Sequence, residues 1–177
     1  MKTRIFTLLT LLVMCTAGTF AQEKKILVAY FSWSGNTQHV AEYIARQTGA
    51  TLFRIEPAKP YPTDYTPCTE VAKAEKEQNA RPAIKNKVDD WDSYDTVFIG
   101  YPIWWGIAAW PMSSFVAVND FTGKTVIPFC TSTSSGIGQS GDLLAELADA
   151  GTWLDGQRFS RGSSEAAIAS WVNGLNL

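Results

Sequence analysis

The stretch from Ile26 to Thr37 constrains this chain most. An apolar run, Ile26-Leu27-Val28-Ala29-Tyr30-Phe31, empties directly into Ser32-Trp33-Ser34-Gly35-Asn36-Thr37, and a helical pattern follows from Gln38 to Thr48, closed by Gly49. A buried strand, a turn dense in hydroxyls and a helix N-terminus make a socket for a phosphate. Unpaired backbone N–H groups and the positive end of the helix dipole converge there. The stretch contains no Lys or Arg. A nucleoside triphosphate loop needs its lysine, and a dinucleotide fingerprint needs three spaced glycines with an acid about 20 residues on. Neither is present, which leaves a monophosphate held by the hydroxyls of Ser32, Ser34 and Thr37 and by amides from Ser34 to Thr37.

Residues 1–21 read as a leader rather than as part of the fold. Lys2 and Arg4 precede an apolar run from Ile5 to Met14, and Thr19-Phe20-Ala21 offers small residues for cleavage before Gln22. The run is shorter than the ~18 apolar residues of a membrane span. Met14, not a small residue, precedes Cys15, which weighs against lipidation there. The expectation is an exported chain of residues 22–177, with a bacterial periplasm as destination. Loss of Lys2 and Arg4 leaves 13 basic residues against 17 acidic, a net charge of −4, so no nucleic-acid or anionic-membrane partner is implied. The remaining length suits one domain. Cys68 and Cys130 persist, read as two separate thiols, and with His39 as the sole histidine no metal-ligand spacing exists.

Apolar runs alternate with helical patterns along the rest of the chain. Thr51–Ile55 is a second strand, and a strand, helix and strand in succession predicts a right-handed parallel crossover. Pro57–Pro67 holds four prolines and reads as irregular. Thr69–Gln78 reads as an exposed helix presenting a solvated face, with a thin apolar stripe at Val71, Ala72 and Ala74. A third strand, Thr96–Gly100, opens into Tyr101-Pro102-Ile103-Trp104-Trp105-Gly106 and a helix over 109–118 with Pro111 in its first turn. A fourth, Thr125–Phe129 reaching Cys130, runs into a Ser/Thr/Gly loop and a helix over 141–150. A short fifth strand falls between Thr152 and Phe159, and a last helix over 164–173 is capped by Ser163 or Ser164. Five strands alternating with helices predict an α/β doubly wound parallel sheet.

The phosphate loop has the form Ser/Thr-x-Ser/Thr-Gly-Asn/Thr-Ser/Thr and resembles that of the flavodoxin family, which grips the 5′-phosphate of FMN. The segment Tyr94–Gly106 looks like that of exported bacterial flavodoxins. The resemblance covers nearly all of residues 22–177. It implies a flavodoxin-like three-layer sandwich, a five-stranded parallel sheet of order 2-1-3-4-5 with helices on both faces, and FMN at the gap between strands 1 and 3. The three unusual loops follow strands 1, 3 and 4, so they would meet at that gap. Ser32, Trp33, Ser34, Gly35, Asn36 and Thr37 would then take the phosphate, and Pro102, Ile103, Trp104, Trp105 and Gly106 the face of the ring. Thr131, Ser132, Thr133, Ser134, Ser135, Gly136 and Gly138 would take its polar edge.

The activity this resemblance implies is electron transfer to and from redox partner proteins, the FMN cycling between oxidised, semiquinone and hydroquinone states. Gly106 would turn its peptide toward the flavin, as the Trp-Gly pattern implies. Many flavodoxins carry an acid just after that glycine; here Ile107-Ala108-Ala109-Trp110 follows. Two other functions fit the same residues: an FMN-dependent NAD(P)H:quinone-type oxidoreductase, or a non-redox module for a phosphorylated ligand. His39 reads as a solvated residue, with no acid or nucleophile placed beside it.

Overall fold

The structure, a computed structural model, describes residues 25–177. The expected leader lies outside them, and none of the described helices is long and apolar enough to cross a membrane. Five helices and seven strands follow in the order β1 (Ile26–Tyr30), α1 (Asn36–Thr48), β2 (Thr51–Arg54), α2 (Tyr65–Glu77), β3 (Thr96–Trp104), β4 (Ile107–Ala108), α3 (Trp110–Val118), β5 (Thr125–Thr131), α4 (Ser140–Ala148), β6 (Thr152–Trp153), β7 (Gln157–Phe159) and α5 (Glu165–Gly174). A short 3-10 turn, Trp91–Ser93, precedes β3.

Period-two alternation along the central strands builds both cores. Leu27, Ala29 and Phe31 of the β1 segment, with Val97, Ile99 and Tyr101 of β3, pack against Met112 and Phe115 of α3 and Leu144 of α4. The alternate residues, Val28, Tyr30, Phe98, Ile127 and Phe129, pack against Val40 and Ile44 of α1 and Ile168 of α5. The sheet is therefore covered on both faces, as parallel sheets require.

The main path of the sheet is β2-β1-β3-β5-β6, and its pairings are parallel. This is the expected order, with two differences. The fifth position is shared by β6 and β7, which pair with Thr125–Val126 and Phe129–Thr131 of β5. Between them β5 presents Pro128, which has no N–H. Val126 accepts from Leu154 on that side of the strand, and two residues on the ladder has no donor to continue it. The second difference is β4, which turns back antiparallel on the end of β3. The aromatic stretch expected as an open loop after Gly100 is consequently strand as far as Trp104. Thr131, also expected in a loop, is the last residue of β5, paired with Pro102.

Helix α2 begins at Tyr65, four residues ahead of the expected start, with Pro67 inside its first turn, where a missing N–H removes no helical bond. It does not merely present a solvated face. Cys68 and Ala72 are buried.

Candidate functional site

Beyond the carboxyl ends of β1, β3 and β5 lies a cleft of about 630 Å³, within the range of small-molecule sites. One end is the loop between β1 and α1. Gly35, at φ 87°, takes a left-handed conformation that a side chain would strain, and it starts α1 with no side-chain cap and no acid in the first turn. The helix end is thus open to an anion. Ser34 and Asn36 line the cleft, and Asn36 Nδ2 donates to Ser34 Oγ at 3.0 Å. Ser32 and Thr37 stand behind the loop, both buried. Ser32 Oγ accepts from the Gly35 N–H at 3.1 Å, and Thr37 Oγ1 shares a hydrogen bond with Thr131 Oγ1 at 2.7 Å. That buried pair ties the first loop to the end of β5.

The second wall is the β3–β4 hairpin, which contributes Pro102, Ile103, Trp104 and Trp105. Trp104 is anchored by edge-on contacts with Phe31 and Tyr61, ring centroids 5.5 and 4.9 Å away. Trp105 is different. It is 45% exposed, and with Gly106 it forms a two-residue turn in which both φ angles are positive, 50° and 84°, the signature of a type I′ hairpin. Its carbonyl accepts from Lys76 Nζ at 3.0 Å and its Nε1 lies 3.4 Å from the Thr69 carbonyl. Gly106 itself stays at the turn, outside the cleft wall.

Ser132 and Thr133 close the cleft opposite, beside Thr131. Arg158 grips both residues: Nε donates to the Ser132 side-chain Oγ at 3.0 Å, and Nη2 to the backbone carbonyls of Ser132 and Thr133 at 2.9 and 2.8 Å. The peptides are trans, so holding a carbonyl on the Arg158 side turns the N–H groups of Thr133 and Ser134 to the other side. Ser134, Ser135, Gly136 and Gly138, expected at the site, do not line the cleft. Ser132 Oγ also bonds the Ser135 carbonyl, which folds that part of the loop on itself.

Several lining residues escaped the sequence reading. Tyr65, Cys68, Thr69 and Ala72 form one wall, and their spacing, i, i+3, i+4 and i+7, is the face of a helix. That signal was present but interrupted by Pro67. The phosphate stretch has no basic residue of its own, yet folding brings two arginines close. Arg54 Nη2 donates to the Ser32 carbonyl at 3.2 Å, and Arg161 lines the cleft. No local pattern marks either one. Trp33, which lines the cleft, donates through Nε1 to the Pro62 carbonyl at 2.8 Å and so pins the proline-rich segment. Trp33 also borders a second cleft of about 590 Å³, lined by Arg54, Glu56, Lys85 and Tyr61 among others. His39 is exposed.

Burial governs the titratable groups around the site. It pushes the Cys68 thiol up, helped by the Glu75 carboxylate, and raises Glu75 itself, which accepts from Tyr61 Oη at 2.7 Å. Cys130, behind the site in β5, is pushed up to about 12. Both cysteines are free, in keeping with two separate thiols. Among the described residues, the only formal charge on the cleft wall is Arg161.

The family's sequence model described as Flavodoxin matches residues 25–175. The chain belongs to the flavodoxin family. Among solved structures it is similar to a candidate flavoprotein from Bacteroides eggerthii, 36% identical over 86% of this chain and 98% of that one, with a TM-score of 0.75. A flavoprotein from Lactobacillus acidophilus, solved in complex with FMN, is 25% identical over 76% of this chain and 93% of that one, with a TM-score of 0.66. Oxidised flavodoxin 1 from Bacillus cereus shares the fold at 19% identity, over 85% of this chain and 94% of that one, with a TM-score of 0.52. No curated protein matched.

Proposed function

We propose that this flavodoxin-family protein binds FMN in the cleft and acts as an electron carrier between redox partner proteins, as an exported chain of residues 22–177. The observation that carries the reading is convergence: an uncapped helix N-terminus, an indole wall and a polar backbone edge meet in one cleft. A monophosphate ester on a flat ring needs these three surfaces. FMN supplies reversible one- and two-electron transfer. The chain's residues bind and orient it. The α1 end with Ser34 and Asn36 holds the phosphate, with Ser32 and Thr37 bracing the loop from behind. Trp104 and Trp105 cover the ring and exclude water. The Thr133 amide that Arg158 turns away from itself would meet the ring's polar edge.

The first test is absorption of the protein after addition of FMN and removal of the excess. Retained flavin bands near one FMN per chain support the reading, and a protein that stays colourless rejects it. The loaded protein should oxidise NAD(P)H slowly or not at all; steady turnover would make it a reductase instead. Export is checked by cell fractionation and by the N-terminus of the mature chain, expected at Gln22.

A further inference from the structure

The phosphate loop lacks a cation of its own, and a phosphomonoester carries close to two negative charges at neutral pH. We infer that Arg161 is the residue that neutralises this phosphate and makes the cleft prefer the phosphorylated flavin over its unphosphorylated parent. The inference rests on the FMN reading above.

Register places the arginine. β7 runs parallel to β5 with Thr131 opposite Phe159, and the Ser132 N–H donates to the Phe159 carbonyl at 3.2 Å. Arg161, two residues beyond Phe159, therefore emerges level with Ser132 and Thr133. Thr131 is the residue bonded to Thr37 in the first turn of α1. The end of β7 and the open end of α1 are thus neighbours across one pair of threonines, and Arg161 shares the cleft with Ser34 and Asn36.

Its backbone is fixed while its side chain is free. Arg161 and Gly162 form the tip of a turn closed by two bonds: Ser163 N–H to the Ser160 carbonyl at 3.1 Å, and Ser160 N–H to Ser163 Oγ at 2.9 Å. Among the described residues the guanidinium has no hydrogen bond and no ion pair. The near acid in sequence, Glu165, is held by Arg46 at 3.1 Å. The other two arginines by the loops bond backbone carbonyls from behind. Among the described residues Arg161 is the one cationic side chain on the cleft wall, and its donors are unspent; a guanidinium matches phosphate oxygens in bidentate fashion.

FMN and riboflavin differ only in the phosphate, so the pair isolates the contact. Dissociation constants for both, from quenching of flavin fluorescence, are compared for the wild type, Arg161→Gln and Arg161→Lys across a salt series. Arg161→Gln should weaken FMN by ~10- to 100-fold, the range of a charge-assisted hydrogen bond at a phosphate. Riboflavin should change by less than about twofold on the same basis. Arg161→Lys should recover part of the loss, and the salt dependence of FMN binding should be shallower in Arg161→Gln than in the wild type. Equal weakening of both flavins, or none of either, would overturn the inference. An unchanged urea midpoint for flavin-free Arg161→Gln shows that the variant folds. A wild type that binds no FMN would remove the cofactor reading itself, whereas a flat Arg161→Gln result removes the arginine's role alone.

Discussion

Trp105 occupies a position that suits another residue. The first central residue of a type I′ turn is ordinarily Asn, Asp or Gly, and an indole held at φ 50° carries roughly 1 kcal/mol of backbone strain. The strain is retained where the ring covers the cleft. Trp105→Asn should therefore leave the urea midpoint of the flavin-free protein equal or higher, and weaken FMN by ~3- to 10-fold, the worth of an aromatic stack. The reverse pattern, lower stability with unchanged affinity, would make Trp105 a structural residue. Thr37 carries the opposite expectation. Its hydroxyl is spent on Thr131 in a buried bond, so Thr37→Val should cost about 1–3 kcal/mol by leaving Thr131 unpaired. The double change with Thr131→Val should cost less than the sum of the singles in a denaturation cycle.

Among elements, β7 has an influence beyond its length. Through Arg158 it holds the Ser132 hydroxyl and the backbone carbonyls of Ser132 and Thr133. Arg158→Leu should speed amide hydrogen exchange between residues 132 and 136 at least tenfold and leave β1 and β3 protected, because a loop cut from its clamp opens locally. Uniform faster exchange would point to global destabilisation instead. The elements legible in the sequence were those with long periodic signals: β1 and α1, with their hydroxyl turn, and the apolar start of β3. The rest was hidden for identifiable reasons. β4 is two residues long and exists by pairing with the end of β3. The split fifth strand depends on where Pro128 falls opposite it. The α2 wall opens with Tyr65 and Thr66 ahead of Pro67, a residue that stops a helix in its interior and is tolerated in its first turn. Arg54 and Arg161 reach the site only through strand pairing and a turn, neither of which leaves a local pattern.

At the scale of the whole molecule, two consequences follow from burial and charge. Cys130, pushed up to about 12, and Cys68, Tyr61 and Tyr101, also raised by burial, all keep their protons in the folded state. Below about pH 9, near the ordinary thiol value, these groups are protonated folded and unfolded, and contribute no pH dependence. Above it the unfolded chain releases protons that the folded chain retains, so stability falls as pH rises from about 9 toward 12. A thermal midpoint that declines over that interval, on the flavin-free protein, is the expected result. The second consequence concerns the reducing electrons. Residues 22–177 carry a mild net charge of −4, and among the described residues no carboxylate lines the cleft whereas Arg161 does. With FMN held in the cleft, a second electron that left the ring negatively charged would meet little like-charge opposition from these residues, so the second one-electron potential should be less negative than in flavodoxins with acid-rich surroundings. Thr69, on the α2 wall, offers the internal control. Thr69→Asp places a carboxylate on the cleft, worth about 1–2 kcal/mol at ~10 Å with an effective dielectric near 20. Potentiometric titration should show the second step moved to more negative potential, the first step moved less, and both shifts reduced by salt. A second step unmoved by that charge would mean that contacts to the ring, and not the charge around the cleft, set the potential.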